Sequence, residues 1–143
     1  MKYLGLDIGD RWIGVASATD SSGLSTPLKT LRRSTKKQDI AVLLELCASE
    51  RADAIVVGLP YNMDGSVGFQ GQKTLAFAKE LETASRLPTA FCDERLSSAT
   101  ALEHAVRHRG KPARSPARID HIAAALILED YLRDLAHAAK TGA

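Results

Sequence analysis

Cysteine is scarce in this sequence, and its two cysteines are far apart. Cys47 and Cys92 each lie in an apolar segment, and neither belongs to the Cys-x-x-Cys spacing of zinc or redox sites. This pattern argues against a disulfide framework and against a cysteine-based metal centre. We expect both residues to be buried free thiols.

A long apolar run is also missing. The first apolar run ends at Asp7, which is too soon for the central region of a signal peptide, and no later run is long enough to span a membrane. We therefore expect a cytoplasmic protein without a membrane partner.

Neither sign of charge is in large excess. The 143 residues carry a formal net charge of +2, with 45% hydrophobic and 25% charged residues. These values are typical of an ordinary globular protein and unlike those of disordered or fibrous chains. We expect one domain over residues 1–139 and a frayed tail over 140–143.

The basic residues are nevertheless unevenly distributed. A first cluster contains Arg32, Arg33, Lys36 and Lys37. A second cluster, free of acidic residues, contains Arg107, Arg109, Lys111, Arg114 and Arg118. Two basic clusters on a nearly neutral chain indicate a polyanionic partner, although either cluster alone is equally compatible with a solvated surface loop.

Short β-like runs alternate with helical periodicity along the chain. Strands are expected at residues 2–8, 12–18, 27–31, 54–60 and 88–92, with Pro60 ending the fourth. Helices are expected at 38–51, after a loop at 61–71, from Ser97 or Ser98 to Arg109, and at 118–137. The early strands are joined as hairpins and the later ones by helices, which predicts an α/β fold with a five-stranded mixed sheet and helices on both faces.

Acidic residues stand where these apolar segments end. Asp7 lies in the first strand near its end, Asp93 and Glu94 follow the last strand, and Asp120 opens the C-terminal helix. Carboxylates at such positions can converge on one site, and they are the hard oxygen ligands that Mg²⁺ and Mn²⁺ prefer. Phosphodiester cleavage is the obvious use of such a site.

Each acid also has a structural interpretation. Asp7 could cap a turn, Asp120 could cap its helix, and the pair at 93 and 94 could form a surface salt bridge with Arg95. If the strand persists through Asp93 and Glu94, the two side chains point to opposite faces, so only one can reach a shared metal.

Four ordered motifs resemble the YqgF/RuvX family and together cover nearly the whole chain. They are Leu6-Asp-Ile-Gly9 with Ile13-Gly-Val-Ala16, Val57-Gly-Leu-Pro-Tyr-Asn-Met-Asp-Gly65, Asp93-Glu-Arg-Leu-Ser97, and Ile119-Asp120 before an alanine-rich helix. That family is described as pre-16S rRNA nucleases and, in older naming, as Holliday-junction resolvases. The resemblance implies a ribonuclease H-like fold and a nuclease that uses one or two Mg²⁺ or Mn²⁺ ions.

The resemblance also implies roles for individual residues. Asp7, Glu94 and Asp120 correspond to the family's acidic site, where they would be both catalytic residues and metal ligands. Asp93 would be a structural partner of these ligands and would not contact the metal directly. The implied nucleic-acid contacts are Asn62, Arg95, Arg107, Arg109, Lys111, Arg114 and Arg118. An Asx-type turn is an equally good explanation of Asn62.

Three other functions stay open at this point. A resolvase would cut branched DNA and would favour a homodimer with two active sites, whereas RNA is the favoured substrate here. A non-catalytic ribosome assembly factor would bind RNA through the basic clusters alone. An actin-like ATPase or sugar kinase would share Asp7-Ile-Gly9 with Gly14-Val-Ala16, but those proteins bind nucleotide between two related domains and this chain is only one domain long.

Overall fold

The computed structural model describes residues 1–94 and 116–140. Five strands are present in these ranges: β1 Lys2–Ile8, β2 Trp12–Thr19, β3 Ser25–Arg32, β4 Ala54–Leu59 and β5 Thr89–Asp93. Three helices accompany them: α1 Lys36–Ser49, α2 Phe69–Ser85 and α3 Pro116–Lys140. No helix in these ranges is long and apolar enough to cross a membrane.

The strands form one mixed sheet in the order β3-β2-β1-β4-β5. The hairpin strands β1, β2 and β3 pair antiparallel, whereas β1 with β4 and β4 with β5 pair parallel. The turn between β1 and β2 is closed by the Gly9 amide, which donates to the carbonyl of Trp12 at 2.9 Å. The predicted five-stranded mixed sheet is therefore confirmed.

Strand β1 supplies both faces of the sheet, because its side chains alternate. Leu4 and Leu6 belong to the hydrophobic core that contains Leu43 of α1 and Phe77 of α2. Tyr3 belongs to a second core on the other face, built mainly on α3. Helices therefore cover both faces, as predicted, and the residues of β1 at odd positions face α3.

Several boundaries differ from the predicted ones. Helix α1 begins at Lys36 rather than 38, because the hydroxyl of Thr35 caps it by accepting from the Gln38 amide at 3.1 Å. Strand β3 extends to Ser25, whose hydroxyl donates to the Ala125 carbonyl of α3 at 2.9 Å. Both signals are tertiary or side-chain contacts that hydrophobic periodicity does not report.

The loop predicted at 61–71 is shorter in the structure, because α2 begins at Phe69. Its first turn packs against the end of β4 at Gly71, where a Cβ would lie 2.8 Å from the Pro60 carbonyl. A glycine read as a loop residue is thus a close-packing residue of a helix. The C-terminal helix is also longer than predicted and includes Lys140, and the helix predicted from Ser97 or Ser98 to Arg109 lies outside the described residues.

Candidate active site

Asp7 lies near the end of β1, the central strand, on the face covered by α3. The orientation follows from Gly5 two residues earlier, where a Cβ would lie 3.0 Å from the Leu128 Cβ of α3. Side chains two residues apart in a strand share a face, so Asp7 also faces α3. Asp7 is partly buried there.

Gly14 of β2 is the direct partner of Asp7 in the antiparallel ladder. A Cβ at Gly14 would overlap the carbonyl of Asp120 and lie 2.8 Å from the His121 amide nitrogen. Directly opposed residues of an antiparallel pair present their side chains to the same face, with Cβ atoms about 4.5–5.5 Å apart. The backbone of Asp120 therefore lies over the position next to Asp7.

Gly58 of β4 flanks Asp7 on the other side. Leu6 pairs with Val57 in the parallel ladder, so Asp7 and Gly58 occupy the next position along the two strands. A Cβ at Gly58 would lie 2.5 Å from Oε1 of Glu94 and 2.6 Å from Cδ1 of Ile127. The Glu94 carboxylate therefore occupies the space above Gly58, on the face that Asp7 shares.

Three acidic residues are thus brought to one edge of one face of the sheet. Asp7 stands between two positions without side chains, one covered by the backbone of Asp120 and the other by the Glu94 carboxylate. Because α3 begins at Pro116, Asp120 lies in its second turn and is not the helix cap that the sequence allowed. Glycines inside strands mark such close approaches. Gly14 and Gly58 are site-forming residues that the sequence interpretation did not single out, and their place in strand interiors was the available signal.

The neighbouring acid Asp93 points away from this group. It is the last residue of β5, is exposed, and pairs with Leu59. The strand alternation puts Asp93 on the face of Phe91, while Cys92 and Glu94 share the face of α3. The ladder continues one step beyond the strand, since the Glu94 amide donates to the Leu59 carbonyl at 3.2 Å.

The start of α3 is fixed to the sheet by β3. Thr30 is the ladder partner of Gly14, and its hydroxyl lies 3.0 Å from Nδ1 of His121. Further along the helix, the Glu129 carboxylate accepts from the Ser25 backbone amide at 3.3 Å. These contacts between distant parts of the chain hold Asp120 over the sheet.

Arg33 ties the turn after Asp7 to α1. Its guanidinium donates to the Gly9 carbonyl at 2.9 Å and to the buried carboxylate of Asp39 at 3.3 Å. It also lies over the Phe77 ring, 5.0 Å from the centroid. Asp39 accepts a further bond from the Ser34 amide at 2.9 Å. One member of the first basic cluster is therefore a structural residue rather than a solvated one.

The loop between β4 and α2 is closed by its own polar groups. The Asn62 amide group donates to the Ser66 hydroxyl at 3.0 Å, and Asp64 accepts from the Ser66 backbone amide at 2.9 Å. The second bond is that of an Asx turn. Asn62 is exposed and engaged within the loop, beside Gly68.

The side chains of the remaining predicted nucleic-acid contacts lie outside the part of the chain that the structure describes. Arg95, Arg107, Arg109, Lys111 and Arg114 lie outside the described residues. Arg118 lies in the first turns of α3, and only its backbone is described.

Cys92 is buried, and acidic side chains lie near it. Burial raises the pKa of its thiol to about 12, with further contributions from the negative charges of Asp130, Asp134, Glu94 and Asp93. Cys47 is also a buried free thiol, and burial raises its pKa as well. The predicted pair of buried free thiols is confirmed.

The acidic edge fits a divalent cation by its donor chemistry. Carboxylate oxygens are the ligands of Mg²⁺ and Mn²⁺, and the Glu94 carboxylate lies over Gly58 on the face that Asp7 shares. As the side chains stand, no group of three or more His, Cys, Asp or Glu residues within 1–94 and 116–140 is arranged to hold an ion. The fit therefore rests on residue type and on the shared edge.

Relatives of the chain are informative about its family. Residues 1–134 match the family model described as "RuvX: Holliday junction resolvase". A Rhodobacter capsulatus protein named "Putative pre-16S rRNA nuclease" is 42% identical over 133 residues, which cover 93% of this chain and 84% of the relative. A protein of the same name from Acaryochloris marina is 43% identical over 132 residues, 92% of each chain.

Solved structures share the fold at low sequence identity. Thermus thermophilus RuvC, in complex with a Holliday junction substrate, gives a TM-score of 0.59 at 17% identity and covers 93% of this chain and 95% of its own. The Fowlpox virus resolvase, with junction DNA, gives 0.50 at 12% identity and covers 94% and 99%. The expected ribonuclease H-like fold is confirmed by these likenesses.

Proposed function

The chain belongs to the RuvX family, and we propose that it is a divalent-metal-dependent nuclease that hydrolyses phosphodiester bonds during 5′-end processing of pre-16S rRNA. Relatives that bear the name of such a nuclease share about two fifths of its residues over nearly the whole chain. Processing of rRNA is a cytoplasmic step in ribosome biogenesis, which agrees with the expected location.

One structural observation carries the proposal. Asp7 lies between two glycines on the neighbouring strands, and these two positions are covered by the Glu94 carboxylate and by the backbone of Asp120 in the second turn of α3. Because Gly14 and Gly58 have no side chains, the Asp120 backbone and the Glu94 carboxylate approach the sheet closely on the two sides of Asp7. This grouping of acidic residues at the ends of the strands supports a site for a cation and the phosphate that it would polarise.

We assign the cation to Asp7, Glu94 and Asp120. A bound Mg²⁺ or Mn²⁺ would supply Lewis-acid polarisation of the phosphate and a more acidic water. Asp7 would hold the central position, and Glu94 would approach from the β5 side. Asp120 would approach from the N-terminal part of α3, with the Thr30–His121 contact holding that part of the helix in place. Asp93 faces the other side and would act only through the strand.

Substrate contacts outside the acidic edge are assigned to basic and polar residues. The positive charges of Arg95, Arg107, Arg109, Lys111, Arg114 and Arg118 would bind the phosphate backbone. Asn62, already engaged with Ser66, would order the loop at the rim and offer its remaining hydrogen-bonding capacity to RNA.

The deciding experiment is cleavage of an end-labelled pre-16S rRNA fragment with Mg²⁺ or Mn²⁺, comparing the wild-type protein with Asp7→Asn. Metal-dependent cutting that disappears in the variant, while RNA binding and the folded circular dichroism spectrum remain, is the expected result. RNA binding without cleavage by the wild-type protein would favour a non-catalytic assembly factor.

Resolution of branched DNA is the second candidate, favoured by the description of the family model. A four-way DNA junction in the same assay tests it. Paired, symmetric cuts require two active sites, so the resolvase also predicts a homodimer by sedimentation. Cleavage of the junction by a dimer, with no cleavage of the rRNA fragment, would replace the first candidate by the second.

A further inference from the structure

Phe69 is an exposed aromatic residue at the start of α2. Its side chain belongs to no part of either core, and 78% of the residue is exposed. An exposed phenylalanine ring keeps apolar surface that a ligand can still remove from water. Met63, 84% exposed, lies in the loop that precedes the helix.

A cation accompanies the ring. Nζ of Lys73, one helical turn later, lies 4.5 Å from the centroid of Phe69. The same ammonium group is 3.9 Å from the Asp10 carboxylate, in a pair whose side chains are 51% and 68% exposed. A long, solvent-exposed ion pair contributes little to stability, so Lys73 can exchange Asp10 for another anion at low cost.

The ring lies at the same edge of the sheet as the acidic residues. Asp10, the partner of Lys73, is in the turn that follows β1 and therefore lies three residues from Asp7. The first turn of α2 packs on the Pro60 carbonyl, two residues from Gly58. Phe69 and Lys73 thus lie at the end of the sheet that carries Asp7 and Glu94, on the side of α2.

We propose that Phe69 and Lys73 form a subsite for single-stranded RNA, in which an unpaired base stacks on the ring and Lys73 binds the adjoining phosphate. This inference rests on the proposed nuclease function and specifies how a strand leaves the acidic edge. Bases stack on aromatic rings without sequence preference, and a neighbouring ammonium group complements the phosphate. One ring and one methionine are far smaller than a protein interface of about 800 Å² per partner, which favours a base over a protein.

The test is binding of a short single-stranded RNA that carries 2-aminopurine, measured by fluorescence in an Asp7→Asn background so that no cleavage occurs. Phe69→Leu keeps an apolar side chain and removes the ring, and Phe69→Trp restores one. Leu24→Ala is the matched control, because Leu24 is 72% exposed in the β2–β3 turn at the opposite edge of the sheet.

We expect Phe69→Leu to weaken binding by about tenfold and to abolish the 2-aminopurine quenching, with both restored in Phe69→Trp. Lys73→Gln should lower the slope of log K against log salt by about 0.7, the value for one phosphate on a single strand. Leu24→Ala should change neither quantity.

Unchanged binding and quenching in Phe69→Leu would overturn the subsite, even if the wild-type protein cleaves rRNA as proposed. Equal weakening of binding to a long RNA duplex would also overturn it, because base pairs inside a duplex have no free face for the ring. Conversely, normal quenching by a protein that never cleaves RNA would leave the subsite standing and remove the nuclease function.

Discussion

Gly14 of β2 lies directly beneath the backbone of Asp120, so closely that a Cβ on the glycine would overlap the Asp120 carbonyl. This contact seats the N-terminal part of α3 on the sheet beside Asp7, the ladder partner of Gly14. The hydrogen bond between Thr30 and His121 holds the same junction from the next strand. Asp120, one of the proposed metal ligands, can therefore lie beside Asp7 only because Gly14 of β2 has no side chain.

Gly14→Ala should displace the start of α3 from the sheet. Overpacking against backbone typically costs about 1–3 kcal/mol of folding free energy, and here it also moves Asp120 away from Asp7. We expect a lower denaturation midpoint and loss of cleavage. Gly68→Ala is the control, since its Cβ would meet only the end of the Asn62 side chain at 3.0 Å. Full activity in Gly14→Ala would show that cleavage does not require the contact between Gly14 and the Asp120 backbone.

Glu94 and Asp93 should differ sharply in their contribution to cleavage. Glu94→Gln removes a charge on the face shared with Asp7, and we expect a loss greater than the roughly 100-fold that supporting residues cost. Asp93→Asn changes an exposed carboxylate on the opposite face and should retain most activity. Steady-state cleavage rates with Mn²⁺ measure both. The reverse order of the two losses would assign the ligand to Asp93.

Arg33 should stabilise the protein more than the basic residues near it. Arg33→Ala removes charged hydrogen bonds to the Gly9 carbonyl and to the buried Asp39 carboxylate. Because the Asp39 carboxylate then loses its cationic partner, we expect the free energy of unfolding to fall by about 1.5–3 kcal/mol. Lys36→Ala breaks only an exposed pair with Glu80 and should cost less than about 1 kcal/mol. Urea denaturation compares the two variants. Equal midpoints would mean that Asp39 finds another partner.

Cys92 should be inert to thiol reagents and should make stability fall at alkaline pH. Its pKa is about 12 in the folded protein against 9.0 for a free thiol, chiefly through burial. The thiol of the unfolded chain therefore ionises first, so this contribution is fully present below pH 9.0 and is lost as pH rises toward 12. The loss reaches at most about 1.4 kcal/mol per pH unit.

Cys92→Ala provides the comparison for that pH dependence. Its unfolding free energy should fall less steeply than that of the wild-type protein over the same alkaline range, and disulfide-exchange labelling at neutral pH should require denaturant in the wild type. Rapid labelling of the folded protein would mean that the thiol is reached through local opening.

The sequence and the structure agree best where local pattern is strong. The short β-like run of β1 and the continuous apolar run of β4 predicted strands that the structure confirms, and the Gly9 turn predicted the first hairpin. The predicted start of α2 was wrong, because Gly68 and Gly71 resemble loop residues in the sequence. In the structure, Gly71 lies in the first turn of the helix and packs against the Pro60 carbonyl. Helix boundaries depend on such contacts, which no local period records.

The sequence by itself determined the α/β order, the two buried thiols and the acids at segment ends, because burial and strand alternation follow from residue type along the chain. Only the tertiary structure decided that Gly14 and Gly58 flank Asp7, that Glu94 shares its face while Asp93 does not, and that Arg33 is structural. These relationships join residues far apart in sequence. Close packing between strands and helices fixes them. The local sequence pattern does not show which distant residue will pack against a glycine.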